Sequence, residues 1–459
     1  MTRLLAALWL ALPSAASAAP LSPLGRAAAE TLKALVRIDT SNPPGNERPA
    51  CESLAEVLAA AGVPYEIVES TPGRASLVAR LKGDSSRRPL LLLAHLDTVG
   101  VEAERWSFPP LAGDEKDGAV RGRGAVDDKS MAAVFAVVLA DLAKRGVRLK
   151  RDVVLAAVAD EESGGRWGIK WLLEHRPELL DAELALNEGG TTFTRGGKVR
   201  IFAVQVQEKE YLDLTVTARG AGGHASVPDP DNAVLRLARA LVRLDERRVE
   251  PRVSPVARAY FEALRGIETP ELSAAFDDLL SDDEERVERG GELLRENPYY
   301  WAMVADTWAP TLLSGGFREN VLPSEARANL NVRLLPDTDS ERFLEDLRAV
   351  AEDAGVGLEM VSGPEGAPPP AAPLDGAFWT ALRGVVAGLS PGAVVVPSMS
   401  VGSTDAAVLR RRGVAVYGLE FPLSPDDQSR IHGHDERMPL AGLEYGVTLV
   451  SRLVTELAR

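Results

Sequence analysis

Apolar residues recur at helical spacing from about Leu24 to Gly62, interrupted by Ser41-Asn42-Pro43-Pro44-Gly45, which predicts two helices joined by a loop. Ala75–Leu81 and Leu90–Ala94 are short, nearly continuous apolar runs, the second entered through Pro89, and read as strands. The Ala-rich run Met131–Leu142 lies between Asp127-Asp128 and Gly146 and predicts a helix with acidic residues at its start. Asp152–Ala159 and Leu184–Asn187 are further apolar runs of strand length, with a short helix expected over Gly168–His175. Strands apolar on both faces that alternate with helices imply a mostly parallel α/β sheet covered on both sides.

The pattern shifts near Tyr211. Leu212-Asp213-Leu214-Thr215-Val216-Thr217-Ala218 alternates apolar and polar positions, as does Asn329–Leu334, and each predicts a half-exposed antiparallel strand. Helices are expected over Asn232–Leu244 and Glu341–Ala354. This reads as a smaller α+β unit over residues 211–334, inserted into a larger one made of residues 19–210 and 335–459. Residues 251–310 form an acidic, helix-biased addition within the insert, and the run Asp277, Asp278, Asp282, Asp283, Glu284, Glu285 reads as a solvated helix face. Glu365–Pro373 is a Pro/Ala-rich linker, after which the chain returns to helix, strand, loop and helix.

Composition changes this picture little. At 459 residues the chain exceeds what one core usually spans, and 45% hydrophobic with 26% charged residues is ordinary for a globular protein. The net charge of −15 argues against nucleic acid or an anionic membrane surface as a partner. Arg3, the apolar run Leu4–Leu12 and the small-x-small site Ala16-Ser17-Ala18 predict a secretory signal peptide over residues 1–18, hence export to a periplasm or the medium. Cys51 is the sole cysteine, which excludes an intrachain disulfide and a thiolate metal cluster. Any metal ligands should be His and carboxylate.

Candidate chemistry collects at the predicted strand ends. His95-Leu96-Asp97 closes the run Leu90–Ala94, a spacing that suits a metal-ligating imidazole and a carboxylate that fixes its tautomer. Asp160-Glu161-Glu162 follows the next apolar strand, and Asn187-Glu188-Gly189-Gly190 the one after. Asp127 lies in the Gly-rich stretch Gly122–Lys129 that runs into a helix, and His432 in Ile431-His432-Gly433-His434. Ligands of open α/β sheets bind beyond the carboxyl ends of the strands, so these residues should converge on one rim. Two histidines and three carboxylates suit two zinc ions sharing a bridging carboxylate. Such a pair of ions lowers the pKa of a shared water, and a carboxylate outside the ligand set must then carry its proton. The neighbours Glu161 and Glu162 can supply one base and one ligand.

With these motifs in this order, the chain resembles the dizinc peptidases and deacylases that include aminoacylase, succinyl-diaminopimelate desuccinylase, glutamate carboxypeptidase and carboxypeptidase S. The resemblance covers essentially the whole mature chain. It implies a mostly parallel-sheet catalytic domain with an inserted ferredoxin-like lid that serves many members as a dimerisation domain. It further implies that His95 and Glu188 hold one zinc, Glu162 and His432 the other, with Asp127 bridging. Asp97 would orient His95 and Glu161 would act as general base. Gly222-Gly223-His224-Ala225-Ser226 is similar to the lid motif whose histidine, here His224, polarises the scissile carbonyl, often from the neighbouring subunit. Asn320 and Arg333 match lid positions for the substrate's carbonyl and carboxylate, and Gly402-Ser403-Thr404-Asp405 resembles the substrate-binding loop. A developing oxyanion needs a preplaced donor, and Arg binds a carboxylate bidentately, so these assignments make physical sense.

Where many family peptidases have Asp, this chain has Glu188, which in the family accompanies deacylases. The extra helices resemble the carboxypeptidase S branch with its secreted N-acyl-amino-acid hydrolases. If those helices fill the space where a partner lid docks, the chain is a monomer; otherwise a homodimer through the lid is expected. The expected activity is hydrolysis of an N-acyl amino acid or short peptide at the amide next to a free C-terminal carboxylate, by a water shared between two Zn2+ ions, with Co2+ or Mn2+ as possible substitutes. A dipeptidase or aminopeptidase is the alternative and needs an acidic group for a free amine. A catalytically inactive metal- or peptide-binding protein would show a missing base or ligand, and none is missing.

Overall fold

The computed structural model describes residues 20–363 and 366–459, so the leader expected over residues 1–18 lies outside the described residues. No described helix is long and apolar enough to cross a membrane. The two early helices, Pro23–Val36 and Arg48–Ala59, each carry Pro in the first turn, where the missing N–H breaks no helical bond. Both pack on the helix Lys129–Lys144, which is apolar nearly all round because the sheet covers one side and other helices the rest.

Among the described residues, nine strands form the central sheet. Its order is Tyr65–Thr71, Arg74–Leu81, Val153–Val158, Leu90–His95, Leu184–Asn187, Ala415–Gly418, Lys198–Glu208 and Val394–Ser400, with Thr191–Arg195 paired to Lys198–Glu208. The middle of the sheet is parallel, and antiparallel pairs flank it. His95 stands opposite Val158, and Gly418 opposite Asn187, so the parallel strands end along one rim. Leu90, Leu91, Leu92 and Leu93 are wholly buried, each contributing roughly 1.5–3 kcal/mol. A slip of one residue would turn His95 to the other face, so this burial also fixes where its imidazole points. The hairpin Thr191–Glu208, turned at Gly196-Gly197, falls where the sequence reading assigned no element.

The smaller unit is an antiparallel sheet in the order Thr307–Gly315, Glu325–Leu334, Glu210–Arg219, Gly357–Ser362. The alternation seen in the sequence sets its faces. Leu212, Leu214, Val216, Leu330 and Val332 form a separate core with the helices Ala233–Asp245 and Ser340–Asp353, while Asp213, Asn331 and Arg333 occupy the opposite face.

Two expectations about organisation need correction. The smaller unit does not end at residue 334: the strand Gly357–Ser362 completes its sheet and Leu344 and Leu347 complete its core. The helices Pro255–Leu264, Pro270–Leu279, Glu284–Leu294 and Pro298–Ala302 belong to the larger unit, not to the lid. Their Tyr260, Phe261, Phe276 and Tyr300 join the main core, and the first of them packs on the strand Val394–Ser400. Position in the sequence placed them beside the lid strands; their aromatic faces decide otherwise. The acidic run is solvated as expected, with Asp278 paired to Arg286 and Arg289.

Candidate metal centre

His95 ends its strand with its imidazole buried. Its Nε2 lies 2.9 Å from Asp127 Oδ1 and 3.5 Å from Glu188 Oε1. His432 Nε2 lies 3.0 Å from Asp127 Oδ2 and 3.2 Å from Glu162 Oε2. Two three-residue groups result, His95–Asp127–Glu188 and Asp127–Glu162–His432, the ligand atoms of each within 4.8 Å of one another. Asp127 belongs to both and offers a different oxygen to each.

Local backbone explains how these side chains reach one point. Asp160 takes a left-handed turn at φ 72°, which redirects the chain beyond the strand so that Glu161 and Glu162 face the rim. Gly418 lets its strand approach Glu188 closely, since a Cβ there would fall 2.3 Å from the Glu188 carbonyl oxygen. His432 itself adopts φ 58°, a conformation that costs a non-glycine residue energy and recurs at functional sites.

Asp97 does more than the sequence suggested. His95 Nδ1 lies 3.1 Å from the Asp97 carbonyl oxygen and 3.4 Å from its Oδ1, so main chain and side chain together orient the ring. The same carboxylate, wholly buried, accepts the backbone N–H of Glu161 and of Glu162, each at 3.1 Å, and the Asn42 amide at 2.8 Å. Asn42 also donates to Asp160, which receives Arg74, which in turn binds Glu47. On the other side Glu436 accepts the N–H groups of Gly124, Val126 and Asp127 and pairs with Arg123 at 2.6 Å. Asn42, Arg74, Glu47 and Glu436 were not identified from sequence. Glu436 lies four residues from His432 in an acid-rich stretch, and that proximity was the one available signal.

The electrostatics suit cations. Burial disfavours a charged His95, but the carboxylates of Glu188, Asp127 and Asp97 outweigh it and hold the imidazolium well above its ordinary range. Hydrogen bonds to Asp127 and Glu162 push His432 up to about 10. Burial, then the neighbouring Glu188, raises Glu161 well above the usual carboxylate range. Glu162 Oε1 is buried without a hydrogen-bond partner. A cluster of carboxylates facing two imidazole nitrogens, with an orphaned carboxylate oxygen, fits divalent cations as the missing partners.

The lid residues are elsewhere. His224 and Asn320 are neighbours: Gly223–His224 pairs with Val321–Leu322, and Ala225 N–H donates to the Asn320 carbonyl at 3.0 Å. His224 Nδ1 lies 2.7 Å from Ser226 Oγ. Both are exposed, and neither forms a hydrogen bond or ion pair with the centre among the described residues. Arg333 lies on the polar face of the lid sheet, its guanidinium carbon 4.7 Å from the Tyr211 ring centroid and its Nε bonded to Asn331. Gly402, Ser403 and Thr404 form the loop beyond the strand Val394–Ser400. The Asn187 amide donates to the Thr404 hydroxyl at 3.3 Å and the Thr404 backbone N–H donates to Glu208, so side chain and main chain together anchor the loop to the rim.

A family model described as peptidase family M20/M25/M40 matches residues 91–456. This chain belongs to that family. The human N-fatty-acyl-amino acid synthase/hydrolase PM20D1 is 28% identical over 419 residues, covering 87% of this chain and 79% of that protein. Human aminoacylase-1 is 27% identical over 431 residues, covering 92% and 93%. In three dimensions the di-peptidase Dug1p from Saccharomyces cerevisiae superposes with a TM-score of 0.70 at 16% identity, over 94% of this chain and 96% of that one, a likeness of fold. As a member of the M20 family, the chain is a metal-dependent hydrolase with a mainly parallel central sheet and a lid. The resemblance inferred from motifs is the family found.

Proposed function

We propose that this chain is an exported dizinc hydrolase that cleaves N-acyl amino acids, or short peptides at their C-terminal residue, at the amide beside a free carboxylate. The observation that carries this reading is the pair of groups sharing Asp127, with Glu161 outside both yet close enough to feel the charges of Glu188, His95 and Glu162. His95, Asp127 and Glu188 would hold one Zn2+, and Asp127, Glu162 and His432 the other. When bound, the ions supply Lewis acidity to the scissile carbonyl and acidity to water. Glu161 takes the water's proton and returns it to the leaving nitrogen. Asp97 holds His95 and the Glu161-Glu162 backbone in register. Arg333 meets the substrate carboxylate and Asn320 or His224 the carbonyl oxygen once the lid is placed over the centre. Gly402, Ser403 and Thr404 line the substrate's approach. The relatives named as an N-fatty-acyl-amino acid synthase/hydrolase and an aminoacylase, together with Glu188, favour a deacylase over a dipeptidase.

A homodimer through the lid is part of this reading. The strand Thr307–Gly315 is paired on one side, and its Leu312 and Leu313 are about 70% exposed, beside Val234 and Leu235 on the helix Ala233–Asp245. An open apolar edge of this kind invites a second strand. The extra helices, packed on the larger core, leave this edge free. The leader over residues 1–18 supports export. The deciding assay offers zinc-loaded protein a panel of N-acyl amino acids and free dipeptides. Turnover of the first set is expected, and turnover confined to free dipeptides would refute the reading.

A further inference from the structure

A cavity of about 260 Å³ opens beside Asp127 and Glu188 and runs into the larger unit. Its apolar wall includes Met131, Met399, Leu419, Phe421 and Met438, each at most 3% exposed, together with Tyr299. Protein interiors are close-packed, so a cavity with a polar mouth at Asp127 and Glu188 and a methionine-rich apolar wall is space kept for a ligand. Methionine walls adapt to a flexible chain. Besides Asp127 and Glu188, two further acids line the cavity, and both are engaged: Asp128 accepts His95 N–H at 3.2 Å, and Glu420 accepts Thr192 N–H at 2.6 Å on one oxygen and the Gln428 amide at 2.8 Å on the other. They are therefore poorly placed to receive a substrate ammonium, the group a dipeptidase must recognise.

Tyr299 comes from the extra helical segment at residues 251–310. Its ring meets Phe193 edge-on, with centroids 6.4 Å apart, and lies against Tyr300, itself part of the main core. The segment is thus built into the larger unit and delivers one aromatic side chain to the cavity.

We propose that this cavity receives the acyl chain of the substrate and that Tyr299 limits the chain length it accepts. The inference rests on the N-acyl-amino-acid reading above and names its preferred substrates: straight, apolar acyl chains of medium length. At roughly 30 Å³ for each small group, the cavity holds a chain of about eight carbons.

The test uses zinc-loaded protein and N-acyl-leucines with acyl chains from acetyl to tetradecanoyl. kcat/KM is expected to rise about three- to fourfold per added methylene until the cavity fills near octanoyl. Tyr299→Ala should move the optimum to longer chains, and Met399→Phe, which narrows the cavity, to shorter ones. Calorimetric binding of the same series to the Glu161→Gln variant should rank the chains in the same order without turnover. If Tyr299→Ala folds poorly, the Met399→Phe shift decides alone. Acetyl and octanoyl substrates used equally well, or an optimum that neither variant moves, would overturn the proposal while leaving the amide-hydrolase reading intact. Hydrolysis of free dipeptides without any N-acyl amino acid would instead defeat that underlying reading.

Discussion

Glu161→Gln separates chemistry from architecture at this site. Glu161 is held by its backbone, whose N–H donates to Asp97 at 3.1 Å, and it belongs to neither ligand group. Glutamine has the same shape and keeps that N–H, so the neighbouring ligands should stay in place. What it loses is the ability to accept a proton. Removing a positioned base costs about 10²–10⁴-fold in rate, or roughly 3–5 kcal/mol of barrier. The variant also removes one negative charge from a cluster holding Glu162, Glu188 and Asp127, so the metal-free protein should be at least as stable as the parent. Three measurements belong together: turnover of an N-acyl amino acid, bound zinc by elemental analysis, and the melting temperature with and without chelator. The expected result is a full metal complement, an unchanged or raised metal-free Tm, and turnover reduced by at least two orders of magnitude. Turnover within tenfold of the parent, with metal bound, would remove Glu161 from the chemistry.

Other substitutions address other parts of the argument. Asp127→Asn should lower the affinity of both metal sites together, because both groups use its oxygens, whereas His432→Ala should empty one site preferentially; competition with a graded chelator resolves the two. Lys209 is wholly enclosed, donates to Ala305 O and Thr307 Oγ1, and burial lowers its pKa to about 7 from 10.5. Between those values the unfolded chain holds a proton that the folded chain lacks, so stability should rise with pH across that window. Denaturant titrations of Lys209→Met should show a shallower rise than the parent between pH 7 and 10.5. Leu313→Lys places a charge on the open lid edge and should shift a dimer to monomer by light scattering; a parent protein already monomeric at micromolar concentration would contradict the proposed lid interface.

How much of this was legible in the sequence follows from the range of each signal. His95, Glu161, Glu162 and Glu188 could be placed because each follows a continuous apolar run, and a parallel strand presents its carboxyl end to one rim. Asp127 and His432 lie on loops, and the Gly122–Lys129 and Ile431–His434 motifs identified them where periodicity was silent. The lid strands were readable from alternation, since one face is buried and the other polar. The end of the lid was not, because Ser340–Asp353 and Gly357–Ser362 pack on residues more than a hundred positions earlier, and no local pattern reports that. The helices of residues 251–310 failed for the same reason. Their amphipathic pattern announces a buried face without naming what buries it.

Asp97, read from the sequence, and Glu436, which was not, share a physical role that explains how the centre keeps the carboxylate oxygens of Asp127 and Glu162 free. Two of the loops that carry the candidate ligands are gripped through their backbone amides by a buried carboxylate outside that set. Asp97 takes the N–H groups of Glu161 and Glu162, and Glu436 takes those of Gly124, Val126 and Asp127. A hydrogen bond to a buried charge is worth about 1.5–3 kcal/mol, so each grip rivals the burial of a large apolar side chain. Neither grip spends an oxygen of Asp127 or Glu162, whose contacts are with imidazole nitrogens. The arrangement resolves a conflict inherent in a cluster of like charges. The carboxylates must stand close together before any cation arrives, and amide clamps pull their main chains into place where the side chains alone would repel.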